Sequence, residues 1–261
     1  MPKFESFAER KAEEQELQEK FEHIYEKLPE YISQEAERLR AKGFLVDNQL
    51  RINPLEFKDF LQPEVIDNDT KEVEKLEKIF TEKISNDSEA REKAVRGEVL
   101  EMIKCLLLNK HLYNGKLTAV RTSKYDDYKN GVDQLLFDSE TFKPMAAVDT
   151  TTDWKTKANL LRGKIKNGCW IKYGLAKQGN TMAPKTYQNL PLFIISIHPE
   201  KLAELSESIT DQNGDENFDK FSKELISSLA MQAELAARMS SAKTSDSYHK
   251  AGELFNQLKE I

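Results

Sequence analysis

Cysteine is scarce in this 261-residue chain: only Cys105 and Cys169 occur, and Cys105 falls in an apolar helical run. Two thiols build neither a disulfide framework nor a cysteine zinc site, so a reducing, cytoplasmic setting is expected. The four histidines, His23, His111, His198 and His249, are scattered, which argues against a histidine zinc centre. No apolar run approaches the ~18 residues of a membrane span, and the opening MPKFESFAER lacks the apolar core of a signal peptide. A soluble chain with no membrane partner is therefore expected. There is no glycine-rich loop ending in Lys-Ser/Thr, no dinucleotide fingerprint and no Gly-x-Ser-x-Gly elbow. The acidic loop Asp211–Glu216 lacks the full calcium-loop pattern. No internal repeat is evident. With ten glycines and eight prolines, the chain has few breaks, which favours helix.

Apolar residues make up 39% of the sequence, with 13 Phe and 8 Tyr, enough for a real core. The net charge of −6 hides a partition. Residues 1–93 carry a net −8, residues 94–198 a net +7 and residues 199–261 a net −5. A basic centre between acidic flanks suits a phosphate-binding surface, although a solvated lysine-rich face gives the same count.

Residues 4–42 read as one long helix, kinked or split at Pro29 and stopped by Gly43. Its irregular apolar stripe favours packing on its own domain over a coiled coil with a protein partner or a second copy. A small hairpin is expected at 44–52, a short helix around 55–61, and another helix through Val73, Leu76, Ile79 and Phe80. A helix at about 88–110 opens charged and turns apolar, with Glu98 and Glu101 in the apolar half. A strand at 117–122 and a polar loop at 123–131 precede two aspartate-bearing strands, 132–138 and 145–151. Then come a helix at 154–166, a strand at 170–175, a polar loop through Pro184 that could close over a ligand, and the strand 192–197. The last strand is the most apolar and is expected to be central. Helices at 199–209, 218–240 and 248–258 complete the chain. The sum is an α/β (α+β) fold: a central mixed sheet of four to five strands, flanked by helices, with helical N- and C-terminal extensions. The division is 1–87, 88–198 and 199–261.

Each aspartate-bearing strand holds its acid where apolar packing does not explain it. Asp133 opens Val132-Asp133-Gln134-Leu135-Leu136-Phe137, and Asp149 closes Met145-Ala146-Ala147-Val148-Asp149. On neighbouring strands the two can converge at one end of the sheet, with Glu98 or Glu101 from the preceding helix as a third carboxylate. Such a set suits Mg²⁺, which takes one or two carboxylates and completes its shell with water and phosphate oxygens. Solvated strand ends account for the same residues equally simply. Asp126-Asp127 could add ligands, or belong to a tyrosine-flanked turn.

With Glu98, Asp133 and Asp149 on a helix, three strands, a helix and a strand, residues 88–198 resemble the PD-(D/E)XK nuclease superfamily. The resemblance implies a restriction-endonuclease-like core and Mg²⁺ or Mn²⁺ as cofactor. It makes Glu98 (or Glu101) the helix acid, Asp133 the first metal ligand and Asp149 the second. Thr151 stands where the family's lysine belongs, and a threonine cannot polarise water as an ammonium does. In some members that lysine moves to the next helix, so Lys155 and Lys157 become the candidates, with Lys124 and Lys143 behind them.

From Trp154 to Lys185 there are eight basic residues and no acid. Arg162, Lys164, Lys166, Lys172 and Lys177 in this stretch, together with Lys124, form the expected nucleic-acid surface, with DNA the favoured partner. Trp154, Trp170, Tyr173 and Tyr187 could stack on bases, or be core. The expected activity is metal-dependent phosphodiester hydrolysis. The alternative is a nuclease fold without cleavage, acting as a nucleic-acid-binding or protein-interaction module.

Overall fold

A computed structural model describes residues 28–85, 97, 101–109, 115–151, 154–179, 181–198, 200–201, 204–205 and 216–259. Glu98, residues 152–153 before the helix expected at 154–166, the Asp211–Glu216 loop up to residue 215 and most of the helices expected at 4–42 and 199–209 lie outside them. No helix among the described residues is long and apolar enough to cross a membrane.

Helix α1 (28–41) buries Leu28, Ile32, Ala36 and Leu39, a three- and four-residue spacing that places one stripe on its own domain. It ends where expected. Gly43 takes φ +88, its N–H donates to Arg40 O (2.8 Å) and that of Phe44 reaches back to Leu39 O (3.0 Å). This paired closure needs a left-handed residue.

The expected hairpin at 44–52 shrinks to one antiparallel bridge, Val46 to Ile52. Its second arm does something else. Ile52 N donates to Arg121 O (2.9 Å) and Arg121 N to Leu50 O (3.0 Å), so the segment runs along the outer edge of β1 (Leu117–Arg121). A 3₁₀ turn (Pro54–Phe57) and helix α2 (Pro63–Ser85) follow. The described part of α3 (101–109) is buried on nearly every side.

The central sheet is mixed and four-stranded, in the order β1, β2 (Gln134–Asp138), β3 (Pro144–Thr151), β6 (Leu192–Ser196). β2 is antiparallel to β1 and β3, and β6 is parallel to β3. Near-continuous burial along all four strands shows that both faces are covered.

Three expectations change. Residues 123–131 form not a loop but helix α4 (Lys124–Asn130), capped by the Ser123 hydroxyl and closed by left-handed Gly131. Asp126 accounts for its place. Its buried carboxylate accepts from Lys172 N (2.8 Å), Tyr173 N (3.0 Å), Ser123 Oγ (2.9 Å) and Asn130 Nδ2 (2.7 Å), tying α4 to the next strand.

After helix α5 (Trp154–Asn167), the chain makes a separate two-stranded sheet, β4 (Cys169–Gln178) with β5 (Thr181–Leu190). The polar loop expected through Pro184 is thus a strand. Its alternation is weak and Pro184 interrupts it, so only pairing with β4 defines it. It is not a loop free to close over a ligand.

Finally, β6 lies at the edge of the sheet, not its centre. Its outward backbone groups are satisfied by side chains instead of another strand. Gln232 exchanges two hydrogen bonds with Ile194 (both 2.9 Å), and the Tyr248 hydroxyl accepts from Leu192 N (3.0 Å) and donates to Leu192 O (3.1 Å). These come from helices α6 (Glu216–Met239) and α7 (Ala242–Lys259), which cover an edge that would otherwise be open to pairing.

Candidate functional site

The strands β1, β3 and β6 run the same way, so their carboxyl ends and the start of β2 share one end of the sheet. In open α/β sheets this end is where ligands bind.

Asp149 lies near the end of β3 and is 1% exposed. Its two oxygens accept from Lys157 Nζ at 2.8 and 3.0 Å, across from the first turns of α5. The ammonium against Asp149 thus comes from the helix that follows the strand.

Asp133 precedes β2, where the chain leaves α4. Its N–H donates to Val148 O (3.0 Å) and its carbonyl accepts from Thr122 N (2.9 Å), which locks the backbone between β1 and β3. Its Oδ2 accepts from Thr150 N (2.7 Å) and Thr150 Oγ1 (2.6 Å), while Oδ1 takes no hydrogen bond. Asp133 is therefore buried in the sheet and is not a residue of a solvated turn.

Glu101 reaches the same end from α3. Its Oε2 accepts from Arg121 Nη2 (2.9 Å) and Arg51 Nη2 (3.4 Å), and Gln134 Nε2 holds its carbonyl (3.3 Å). Arg51 also pairs with Asp127 of α4 at 3.0 Å. Four acids and three bases from seven parts of the chain form one electrostatic unit.

Their protonation reflects this crowding. Burial, then repulsion from Asp133 and Asp127, raises Glu101 to about 7 against the pull of Arg121 and Arg51. Burial raises Asp127 to about 6, with Arg51 opposing and Asp133 adding to the rise. Burial and Asp133 raise Asp149 to about 6, with Lys157 opposing. Burial pulls Lys157 down, but the bonds and charge of Asp149 outweigh it and leave its pKa raised. Enclosed carboxylates under mutual repulsion are what a cation relieves.

The donor chemistry fits a hard divalent ion: carboxylate oxygens, with Oδ1 of Asp133 and Oε1 of Glu101 taking no hydrogen bond. In this conformation no three acidic, imidazole or thiolate groups among the described residues converge closely enough to hold one. The ammonium of Lys157 lies against the Asp149 oxygens that such an ion would use.

Of the candidates, Lys157 contacts Asp149, and the charge of Asp133 acts on both Asp149 and Glu101. Glu98 and the side chains of Lys155 and Trp154 lie outside the described residues.

The expected nucleic-acid residues divide. Lys124 is paired with Glu77 (2.5 Å), and Lys164 donates to the Asn130 carbonyl at the end of α4. Lys172 is paired with Asp69 (2.5 Å) and lies over the Tyr125 ring (4.8 Å), so its charge is spent inside the fold. Arg162, Lys166 and Lys177 are exposed, Lys177 over the Phe142 ring at 4.9 Å. Of the aromatics, Tyr173 is core, packed on Phe57 and Tyr125; Tyr187 donates to Leu175 O; Trp170 is exposed.

Sequence reasoning passed over Arg51, Lys104 and Gln134 and gave Arg121 no role. The available signal was polarity inside apolar runs: Lys104 within Met102–Leu108, and Arg121 closing Leu117–Val120. No protein-family model, curated protein or solved structure matches this chain.

Proposed function

We propose that this chain is a metal-dependent nuclease-like protein that hydrolyses phosphodiester bonds in nucleic acid, with DNA the favoured substrate. The observation that carries the reading is Lys157 seated on both oxygens of Asp149, beside Asp133. It is the acid–acid–lysine set expected of a PD-(D/E)XK site whose lysine has moved to the next helix. The strand order 1-2-3 with a parallel fourth strand, and Glu101 on the helix before β1, support a restriction-endonuclease-like core.

Asp133 and Asp149 would hold Mg²⁺ or Mn²⁺, with Glu101 completing or orienting the set. When bound, the cation would supply positive charge opposite the phosphate and acidify a water. Lys157 would release one Asp149 oxygen and keep its ammonium beside the attacked phosphate. Arg51 and Arg121 hold Glu101 and Asp127 in place against their mutual repulsion. Exposed Arg162, Lys166 and Lys177 would receive the flanking phosphates.

One observation favours a second reading, a nuclease fold that binds without cutting. Three of the four oxygens of Asp133 and Asp149 are already filled by Lys157 and Thr150.

The test uses labelled single- and double-stranded DNA and RNA with Mg²⁺, Mn²⁺ or chelator. Metal-dependent cleavage that falls by ~100-fold or more in Asp149→Asn and Lys157→Met supports hydrolysis. Salt-sensitive binding with no cleavage selects the second reading, and the absence of both refutes the two together.

A further inference from the structure

Helix α3 carries three polar residues among its described positions, Glu101, Lys104 and Asn109, within an otherwise apolar segment. Two of them are accounted for. Asn109 donates to Ala119 O (2.8 Å) and accepts from Ala119 N (2.6 Å), docking the helix on β1. Glu101 is held by the two arginines.

Lys104 is different. It is 3% exposed, yet among the described residues its ammonium makes no hydrogen bond and no ion pair. It lies one helical turn beyond Glu101, the spacing that puts two side chains on one face, but Glu101 turns to Arg121 instead. Its surroundings are the site itself: the charges acting on it are those of Asp133, Glu101, Asp149 and Lys157. Burial outweighs the three carboxylates and leaves its pKa below the ordinary lysine range.

A second buried polar atom on the same wall also lacks a partner. Gln134 Nε2 donates to the Glu101 carbonyl, and its Oε1 bonds to nothing. Buried polar groups are ordinarily satisfied, and a lysine as enclosed as Lys104 is ordinarily paired. A structural lysine would be bonded to the nearby carboxylates. Donors on an enclosed side chain that meet no acceptor among the described residues suit an acceptor that arrives from outside.

We infer that Lys104 is a ligand-contacting cation of this site, donating to a phosphate-type oxyanion held against α3, in addition to Lys157, which is shared with Asp149. The identity of that oxyanion as a nucleic-acid phosphate rests on the proposed function. The difference between them is one of occupancy: Lys157 is bonded at both Asp149 oxygens, and Lys104 has no bond to any described residue.

The test compares wild type, Lys104→Met and Lys104→Arg. Methionine fills the buried stem without charge, and arginine restores the charge. Binding of a short labelled single strand is measured against salt, with inorganic phosphate as competitor, and thermal unfolding reports folding. Lys104→Met should bind about tenfold to a hundredfold more weakly, the loss of a charged hydrogen bond. The slope of log affinity against log salt should fall by about one. Lys104→Arg should recover much of both, and the melting temperature of Lys104→Met should hold or rise, because an unpaired buried charge has gone.

Unchanged affinity and salt slope in a folded Lys104→Met protein would overturn the inference, whether or not the wild type cuts. Binding through Lys104 without metal-dependent cleavage would uphold the inference and sink the hydrolase reading alone. A wild type that binds neither strand nor phosphate would overturn both.

Discussion

Raising the pH of the metal-free protein from about pH 5 to about pH 8 forces Glu101, Asp127 and Asp149 to ionise while enclosed together. Their folded-state values, about 7, about 6 and about 6, lie above the ordinary 4.5, 3.8 and 3.8. A raised acid favours the folded state most when protonated, so this stability is complete below the unfolded values and is lost as pH climbs through the folded ones. Taken singly, Glu101 accounts for about 2.5 kcal/mol over the window and each aspartate for about 1.4 kcal/mol. All three draw on one repulsion centred on Asp133, so the joint loss is about 3 kcal/mol, a large part of a domain's stability. Urea unfolding at the two pH values, in chelator and low salt, measures it. Glu101→Gln should flatten the profile by about 1–2 kcal/mol. Comparing variant with wild type cancels the histidines, which titrate in the same range. On the proposed function, Mg²⁺ recovers stability at the alkaline end by mass action. Wild-type stability that is flat or rises over the window, or a Glu101→Gln profile parallel to it, would refute the reasoning.

Asp126→Ala should destabilise the protein by about 4 kcal/mol in urea, since it leaves two β4 amides and two side-chain donors without their buried carboxylate. Gln232→Leu should lose about 2 kcal/mol and speed hydrogen exchange at the Ile194 amide, because leucine cannot bond the edge of β6; an unchanged exchange rate would mean another group covers that edge. Arg162→Ala and Lys166→Ala should each lower the salt slope of DNA binding by about one, while Lys124→Ala leaves it unchanged because that lysine is paired with Glu77. A drop in slope on Lys124→Ala would show that the pair opens to meet DNA.

Local pattern determined much of this protein. Period-two runs placed β1 and β3 within a residue or two, and the apolar stripe of α1 and Gly43 marked a helix packed on its own domain. An aspartate at the end of an apolar strand, followed by a lysine-bearing helix, was enough to propose Asp133 and Asp149 and to leave Lys155 and Lys157 as the candidate lysines. The hairpin β4–β5, the edge position of β6 and helix α4 were not legible, for one reason. Each is defined by a partner outside its own segment: Pro184 by Leu175, Ile194 by Gln232, and Asp126 by the amides of Lys172 and Tyr173.

The same holds for charge. Composition counts Lys124, Lys164 and Lys172 as basic surface, whereas packing spends them on Glu77, the Asn130 carbonyl and Asp69. Residues within a strand or a helical turn interact through spacing that the sequence displays. Which ammonium meets which carboxylate depends on how sheet, helices and hairpin close on one another. That closure pairs Lys157 with Asp149 and leaves Lys104 without an acceptor among the described residues.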